Sequence, residues 1–187
     1  MRLVAVLVVA LLAGMACTVA PASESPQPSG SASPPSVWEE LASRPLRLGS
    51  IAATESCPIT PTTQLPSGTG ALAGSGPVYA VGNVIAYGPA KSDGLLPAKV
   101  LWVAAPDYPG GALIRGRRLD GAGEVYFSNS RLVTSLRFEL DTGVRAGGSE
   151  QGWRYLPSTV NVESAGCYGF QIDGPGWTTT IVMRAFA

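Results

Sequence analysis

Arg115, Arg117, Arg118 and Asp120 crowd four charges into six positions of a chain that is only 14% charged. Guanidinium groups bind carboxylates and phosphates in bidentate fashion, so the cluster reads as a site for an anionic glycan, a phosphate or an acidic peptide. The plainer reading is a structural Arg–Asp pair that locks a hairpin. If Leu113 faces the core, regular alternation carries Arg115 and Arg117 to the same side. Either a bulge at Gly116 then rotates them out, or an Arg lies partly buried against a carboxylate or backbone carbonyls. A second set, Trp102, Trp153 and Trp177 with Tyr108 and Tyr155, has the chemistry of a platform for sugar rings. Trp102 sits in an apolar run and reads as core. Trp177 and Tyr108 lie beside turns and are the better ligand candidates.

Other chemistries are excluded. The chain has no histidine, which removes Ser-His-Asp and Cys-His devices and any metal site built on imidazole. Its acidic residues fall in no distinctive motif, so a carboxylate enzyme acting on extracellular glycans is the alternative to a binding or envelope-structural module. Gly68-Thr69-Gly70-Ala71-Leu72-Ala73 fits a relaxed dinucleotide fingerprint, but Pro66-Ser67 precedes it and Gly74-Ser75-Gly76-Pro77 follows. The strand and helix that would aim phosphate at a helix N-terminus are missing. No catalytic residue, cofactor or metal is expected. A formal net charge of zero gives no electrostatic basis for nucleic-acid binding.

Short strands must position these residues. Near the C-terminus, Thr159–Glu163, Cys167–Asp173 and Thr178–Phe186 alternate with period two between Gly and Pro punctuation. Tyr168, Phe170 and Ile172 share one face of the middle strand, while Cys167, Gly169, Gln171 and Asp173 share the other. Upstream, Val78–Tyr87 is a strand interrupted near Gly82-Asn83, and Ala98–Ala105 is apolar on both faces like a central strand. Leu132–Leu140 alternates with Leu132, Leu136, Phe138 and Leu140 inward. Arg44–Ile51 reads as extended with Leu46 and Leu48 on one face, after one or two helical turns from Val37 that Pro45 stops. Eight or nine strands without a long helix predict an all-β, antiparallel Greek-key sandwich of immunoglobulin-like type, with a closed β-barrel as alternative.

The N-terminus predicts export. Arg2 precedes an apolar run of 14 residues, Leu3–Ala16, long enough for the core of a signal peptide and short for a membrane span. Gly14-Met15-Ala16-Cys17 resembles a bacterial lipobox, with Gly14 where the pattern favours Leu. Cleavage before Cys17 gives a lipid-anchored chain at the outer face of the membrane. Cleavage after Ala22 gives a secreted, soluble one. Residues 17–36 are a Pro/Ser-rich tether, which favours the anchor, and 37–187 form a single domain. Export also predicts a Cys57–Cys167 disulfide, since these are the remaining pair. Because Cys167 lies opposite Tyr168, Phe170 and Ile172, the bond should pin the Pro-rich loop around Cys57 to the outside or edge of the sheet.

The segments KVLWVAAPDYPGGALIRGRRLDG (99–121), WRYLPSTVNVESAGCYGFQIDG (153–174) and the terminal TTTIVMRAF resemble a group of exported proteins and lipoproteins of actinobacteria and related Gram-positive-type bacteria. The resemblance implies an exported all-β domain and transfers no catalytic residue. Its partners would be the membrane, through the lipid, and a cell-wall glycan or envelope protein.

Overall fold

The computed structural model describes residues 35–64, 70–128, 131–139, 144–145 and 152–187. Pro35–Ala187 form one compact unit. The export segment, Cys17 and nearly all of the tether lie outside the described residues.

The unit opens with helix α1, Val37–Ser43. Ser36 caps it by accepting from the Glu39 amide at 3.3 Å, while the Glu39 carboxylate accepts from the Ser36 amide at 2.6 Å. This reciprocal box satisfies two otherwise orphaned donors. The helix stops at extended Arg44, which the following Pro45 disfavours in helical conformation.

Thirteen short strands follow among the described residues, divided between two sheets. Sheet A runs β1 (Thr62–Gln64), β2 (Ala71–Ala73), β3 (Val78–Val81), β5 (Leu96–Ala104), β11 (Arg154–Val162), β7 (Tyr126–Ser128) and β8 (Leu132–Val133), with β10 (Val144–Arg145) also on β11. Sheet B runs β4 (Val84–Ala86), β13 (Trp177–Phe186), β12 (Gly166–Gly174), β6 (Ala112–Arg118) and β9 (Ser135–Phe138). Every ladder is antiparallel except β13 with β4, which is parallel. The expected interruption near Gly82-Asn83 is where the chain leaves sheet A for sheet B, with Gly82 at φ +81°.

The sheets close on an aromatic core. Trp102 of β5 packs edge-on against Phe170 of β12 at 5.5 Å, and Phe127 of β7 meets the same ring at 6.4 Å. The buried Trp102 indole donates to Ser158 Oγ at 2.9 Å, so its polar edge is satisfied. Tyr168, Phe170 and Ile172 are fully buried here, as the alternation of β12 requires.

Three sequence expectations need correction. Leu132–Leu140 is not one strand: β8 and β9 lie in different sheets, and Leu132 is 46% exposed rather than inward. Leu140 lies outside the described residues. The strand expected at Thr159–Glu163 starts earlier, because β11 runs from Arg154 through Pro157 to Val162. Pro157 is tolerated where β11 has an open flank: β10 pairs with Tyr155 and Arg154, and β7 with residues 159–161. Finally, Leu46 and Leu48 do not share a buried face; Leu48 is 7% exposed and Leu46 36%.

Candidate binding face

The outer face of sheet B is covered. Residues 44–50 cross it as an irregular strap that belongs to no strand. Strand β6 is regular and pairs residue by residue with β12, so no bulge at Gly116 is needed. Ile114 and Gly116 face the core, and the Gly116 position leaves no room for a side chain against Phe170 and the Gly169 carbonyl. Leu113, Arg115 and Arg117 therefore point outward, the reverse of the premise that Leu113 faces the core.

They meet the strap there. Arg115 Nη1 donates to the Arg44 carbonyl at 2.8 Å and the Ala42 carbonyl at 3.3 Å, and Nη2 to Asp173 Oδ2 at 2.7 Å. Arg117 donates to the Leu48 carbonyl and to Ser50 Oγ. Gln171 reads the strap in both senses, donating to the Pro45 carbonyl at 3.1 Å and accepting from the Arg47 amide at 2.6 Å. Asp173, fully buried, also accepts from Gln171 Nε2 and from Thr178 Oγ1 at 2.7 Å. A buried carboxylate needs this density of donors. Between strap and the β12–β13 turn lies a cleft of about 520 Å³, walled by Arg44, Arg47 and Trp177 and floored by Gln171 and Asp173.

Arg118 and Asp120 form a separate group at the far end of β6. Arg118 Nε lies 2.6 Å from Asp120 Oδ1, its Nη1 donates to Ser164 Oγ at 2.6 Å, and Asp120 Oδ2 accepts from the Cys167 amide at 3.1 Å. Burial pushes the Asp120 carboxyl up, but Arg118 and the Cys167 amide outweigh it and hold the group below its ordinary value. Arg118 is correspondingly raised, chiefly by its hydrogen bond to Asp120.

Beside this pair, Cys57 and Cys167 are disulfide-bonded with Cα atoms 5.4 Å apart. The bond lies outside the sandwich, where Cys167 packs with Leu48, Leu119 and Ile51. The loop after the strap is thereby fixed to β12. A recess of about 530 Å³ here holds Glu55, Asp120 and Arg184. Glu55 accepts from the Ala52 amide at 2.9 Å.

The aromatic candidates separate. Tyr108 and Trp177 come together edge-to-face at 5.5 Å, and the Tyr108 hydroxyl donates to the Gly111 carbonyl at 2.6 Å. Burial pushes the Tyr108 phenol up, opposed by Trp177 and the Arg154 charge. Trp102 is core, whereas Trp153 lies tilted against Tyr79, ring centroids 6.1 Å apart, on the outer face of sheet A beside Tyr155. No single platform gathers all five rings.

Sequence reasoning missed Gln171, Asp173 and Arg44 as parts of this face. The available signal was their parity: Gln171 and Asp173 share the Cys167 face of β12. It also missed Arg154, which donates to the Tyr108 and Gly110 carbonyls at 2.8 Å and lies over the Phe138 ring. Among the described residues no group of three or more Cys, Asp or Glu is placed to hold a metal ion, and no helix is long and apolar enough to cross a membrane.

No protein-family model and no curated protein matches the chain. Among solved structures, a crystal structure of a candidate lipoprotein from Bacillus anthracis is 14% identical, with a TM-score of 0.47, over 75% of this chain and 99% of that one. That likeness is too distant to transfer a fold or a function.

Proposed function

We propose that the chain is an exported binding or envelope-structural module, tethered through Cys17 at the outer face of the membrane. The observation that carries this reading is the Cys57–Cys167 disulfide, which belongs to an oxidising compartment and agrees with the export signal read from Leu3–Ala16. Binding is favoured over catalysis by how the charges are used. A glycosidase needs one carboxyl held protonated near neutral pH. In the Glu55–Asp120 recess, Asp120 is shifted the other way and is committed to Arg118 and the Cys167 amide. Cell-wall glycan or another envelope protein is the partner class. The test is a screen of the oxidised, purified chain against cell-wall fragments and polymeric glycans, with product analysis alongside. Saturable binding without turnover supports the module, and release of new reducing ends overturns it.

The pairing order supports an immunoglobulin-like reading of the sandwich. Taking β3, β5, β6, β7, β11, β12 and β13 as strands A to G in chain order reproduces an ABED sheet and a CFG sheet. Tyr168, near the start of the F-like strand, donates its hydroxyl to the Ser164 carbonyl at 3.0 Å, in the manner of a tyrosine corner. The disulfide departs from that pattern, since it clips the outside of β12 instead of bridging the sheets.

A further inference from the structure

The two sheets are finished differently on the outside. Sheet B lies under the strap, whereas the middle of sheet A is open: Lys99 and Pro157 are exposed, and Val81, Leu101, Ser128 and Thr159 are half-buried. Trp102 of β5 and Leu156, Ser158 and Val160 of β11 face the core, so the residues that alternate with them face outward. Register sets these in rows across the strands. Tyr79, Val103 and Tyr155 make one row, Leu101 and Pro157 the next, and Lys99, Thr159 and Ser128 the third. A trough of about 490 Å³ lies over the last two rows, with Val81 at its side.

The two ends of this face differ in chemistry. At the first row Tyr79, Trp153 and Tyr155 gather with Leu72 and Val103 into an apolar cluster outside the sandwich core, and the Tyr79 ring fills the space a Cβ at Gly76 would need. Beyond the third row Lys91 Nζ donates to Asn161 Oδ1 at 2.7 Å, and Asn161 Nδ2 donates to Ser128 Oγ at 3.1 Å. Ser128 thereby keeps its own hydroxyl proton to donate. Lys91 and Lys99 are the chain's only lysines, and both stand at this end. Arg115, Arg117 and Arg118 are spent inside the fold, but Lys99 makes no ion pair among the described residues. None of the residues lining the trough is acidic.

An apolar floor with a donor and a free cation along one margin suits a ring that has an apolar C–H face, hydroxyls and an acidic substituent. We propose that the outer face of sheet A binds an anionic glycan. One sugar ring lies on Leu101 and Pro157, its carboxylate or phosphate meets Lys99, and Ser128 donates to a hydroxyl. The next ring packs toward Tyr79 and Trp153, which present the aromatic surface at the other end of the face. This inference rests on the binding-module reading and gives it a site and a ligand chemistry. It needs neither the lipid anchor nor any movement of the strap.

The test titrates the purified, oxidised chain by calorimetry with polygalacturonate, which joins sugar rings to carboxylates, and phosphomannan, which joins them to phosphodiesters. Neutral dextran supplies rings without charge, and polyglutamate supplies charge without sugar rings. At least one of the two anionic glycans should bind at least about tenfold more tightly than dextran or polyglutamate, and which one binds tells carboxylate from phosphate recognition. Lys99→Glu should weaken that binding at least about tenfold, because the anion then meets like charge. Leu101→Gln should weaken it at least about threefold, through the lost apolar floor. Arg137→Glu makes the same charge change on β9 of sheet B and should leave binding within about twofold, since solvent and salt screen it at that distance. Near-ultraviolet circular dichroism checks that the sandwich is intact in every variant. The proposal is overturned if neither anionic glycan binds, or if dextran or polyglutamate binds as tightly. It is equally overturned if Lys99→Glu weakens binding no more than Arg137→Glu does. Should wall fragments bind and the Lys99 and Leu101 variants bind them unchanged, the module stands and this site falls.

Discussion

Asp173→Ala removes the carboxylate on which the strap's polar contacts converge. The side chain is fully buried and takes hydrogen bonds from Arg115 at 2.7 Å, Thr178 at 2.7 Å and Gln171 at 3.0 Å. Breaking a buried ion pair by deleting one partner costs about 3–5 kcal/mol. Arg115 keeps two carbonyl acceptors and is 17% exposed, which lets water compensate in part. A loss of about 2–3 kcal/mol is therefore expected, at or below the bottom of that range. At about 2–4 °C per kcal/mol for a domain of this size, Tm should fall by about 4–12 °C. Native-state hydrogen exchange supplies the local readout. Asp173 orients Gln171, whose Oε1 protects the Arg47 amide, so that amide should exchange faster in Asp173→Ala than the sandwich as a whole loosens. Arg115→Met should also destabilise, by stranding the carboxylate. The double variant Arg115→Met/Asp173→Leu should recover much of the loss, because a well-packed apolar pair often matches a buried ion pair. If Asp173→Ala stays within about 0.5 kcal/mol of the parent, or the two changes simply add, the network does not hold the strap.

Cys57→Ser/Cys167→Ser opens a closed loop spanning a sequence separation of 110, so the urea midpoint should drop by the equivalent of at most about 4–5 kcal/mol. An unchanged midpoint in the parent with and without reductant would contradict this. Gly116→Ala should destabilise by about 1–3 kcal/mol through overpacking, since its Cβ would lie 2.9 Å from Phe170 and 3.0 Å from the Gly169 carbonyl; thermal melts check it. Asp120 has a folded pKa below its unfolded value of about 3.8, so its contribution is complete above that pH and is lost as pH falls through the folded pKa. Acid unfolding curves should accordingly show the parent losing stability relative to Asp120→Asn as pH drops below about 4, and parallel curves would refute the pairing with Arg118.

Much of this architecture is written in the C-terminal residues. Period-two alternation in 167–173 assigns Tyr168, Phe170 and Ile172 to the core, because a strand buried on one side sorts its side chains that way. The same parity puts Cys167 outside, which is where the disulfide pins the Cys57 loop. What the alternation cannot reveal is a third layer. Gln171 and Asp173 sit on the outward side of β12 yet are 1% and 0% exposed. The element that covers them is held through its carbonyls and amides as well as by Arg44, which donates to the Gly174 and Trp177 carbonyls, and the main-chain contacts leave no trace in side-chain periodicity. For that reason the strap resembled a strand, with Leu46 and Leu48 on one face. The arginines were visible as a cluster but not as two groups: one turn of the pleat sends Arg115 and Arg117 under the strap and Arg118 toward Asp120 and Ser164. Pro157 hid the continuity of β11 because its tolerance depends on which neighbouring strands stop short.

Export, anchoring and covalent pinning are proposed for the same chain, and one measurement reads all three. A non-reducing peptide map with mass analysis, made on protein recovered from the membrane fraction of cells that process lipoprotein precursors, should yield two diagnostic species. One is an N-terminal peptide beginning at Cys17 and carrying acyl chains, and the other is a linked pair containing Cys57 and Cys167. A mature N-terminus at Ser23 without lipid mass would contradict the anchor, and both cysteines recovered as alkylatable thiols would contradict the pinned, exported module itself.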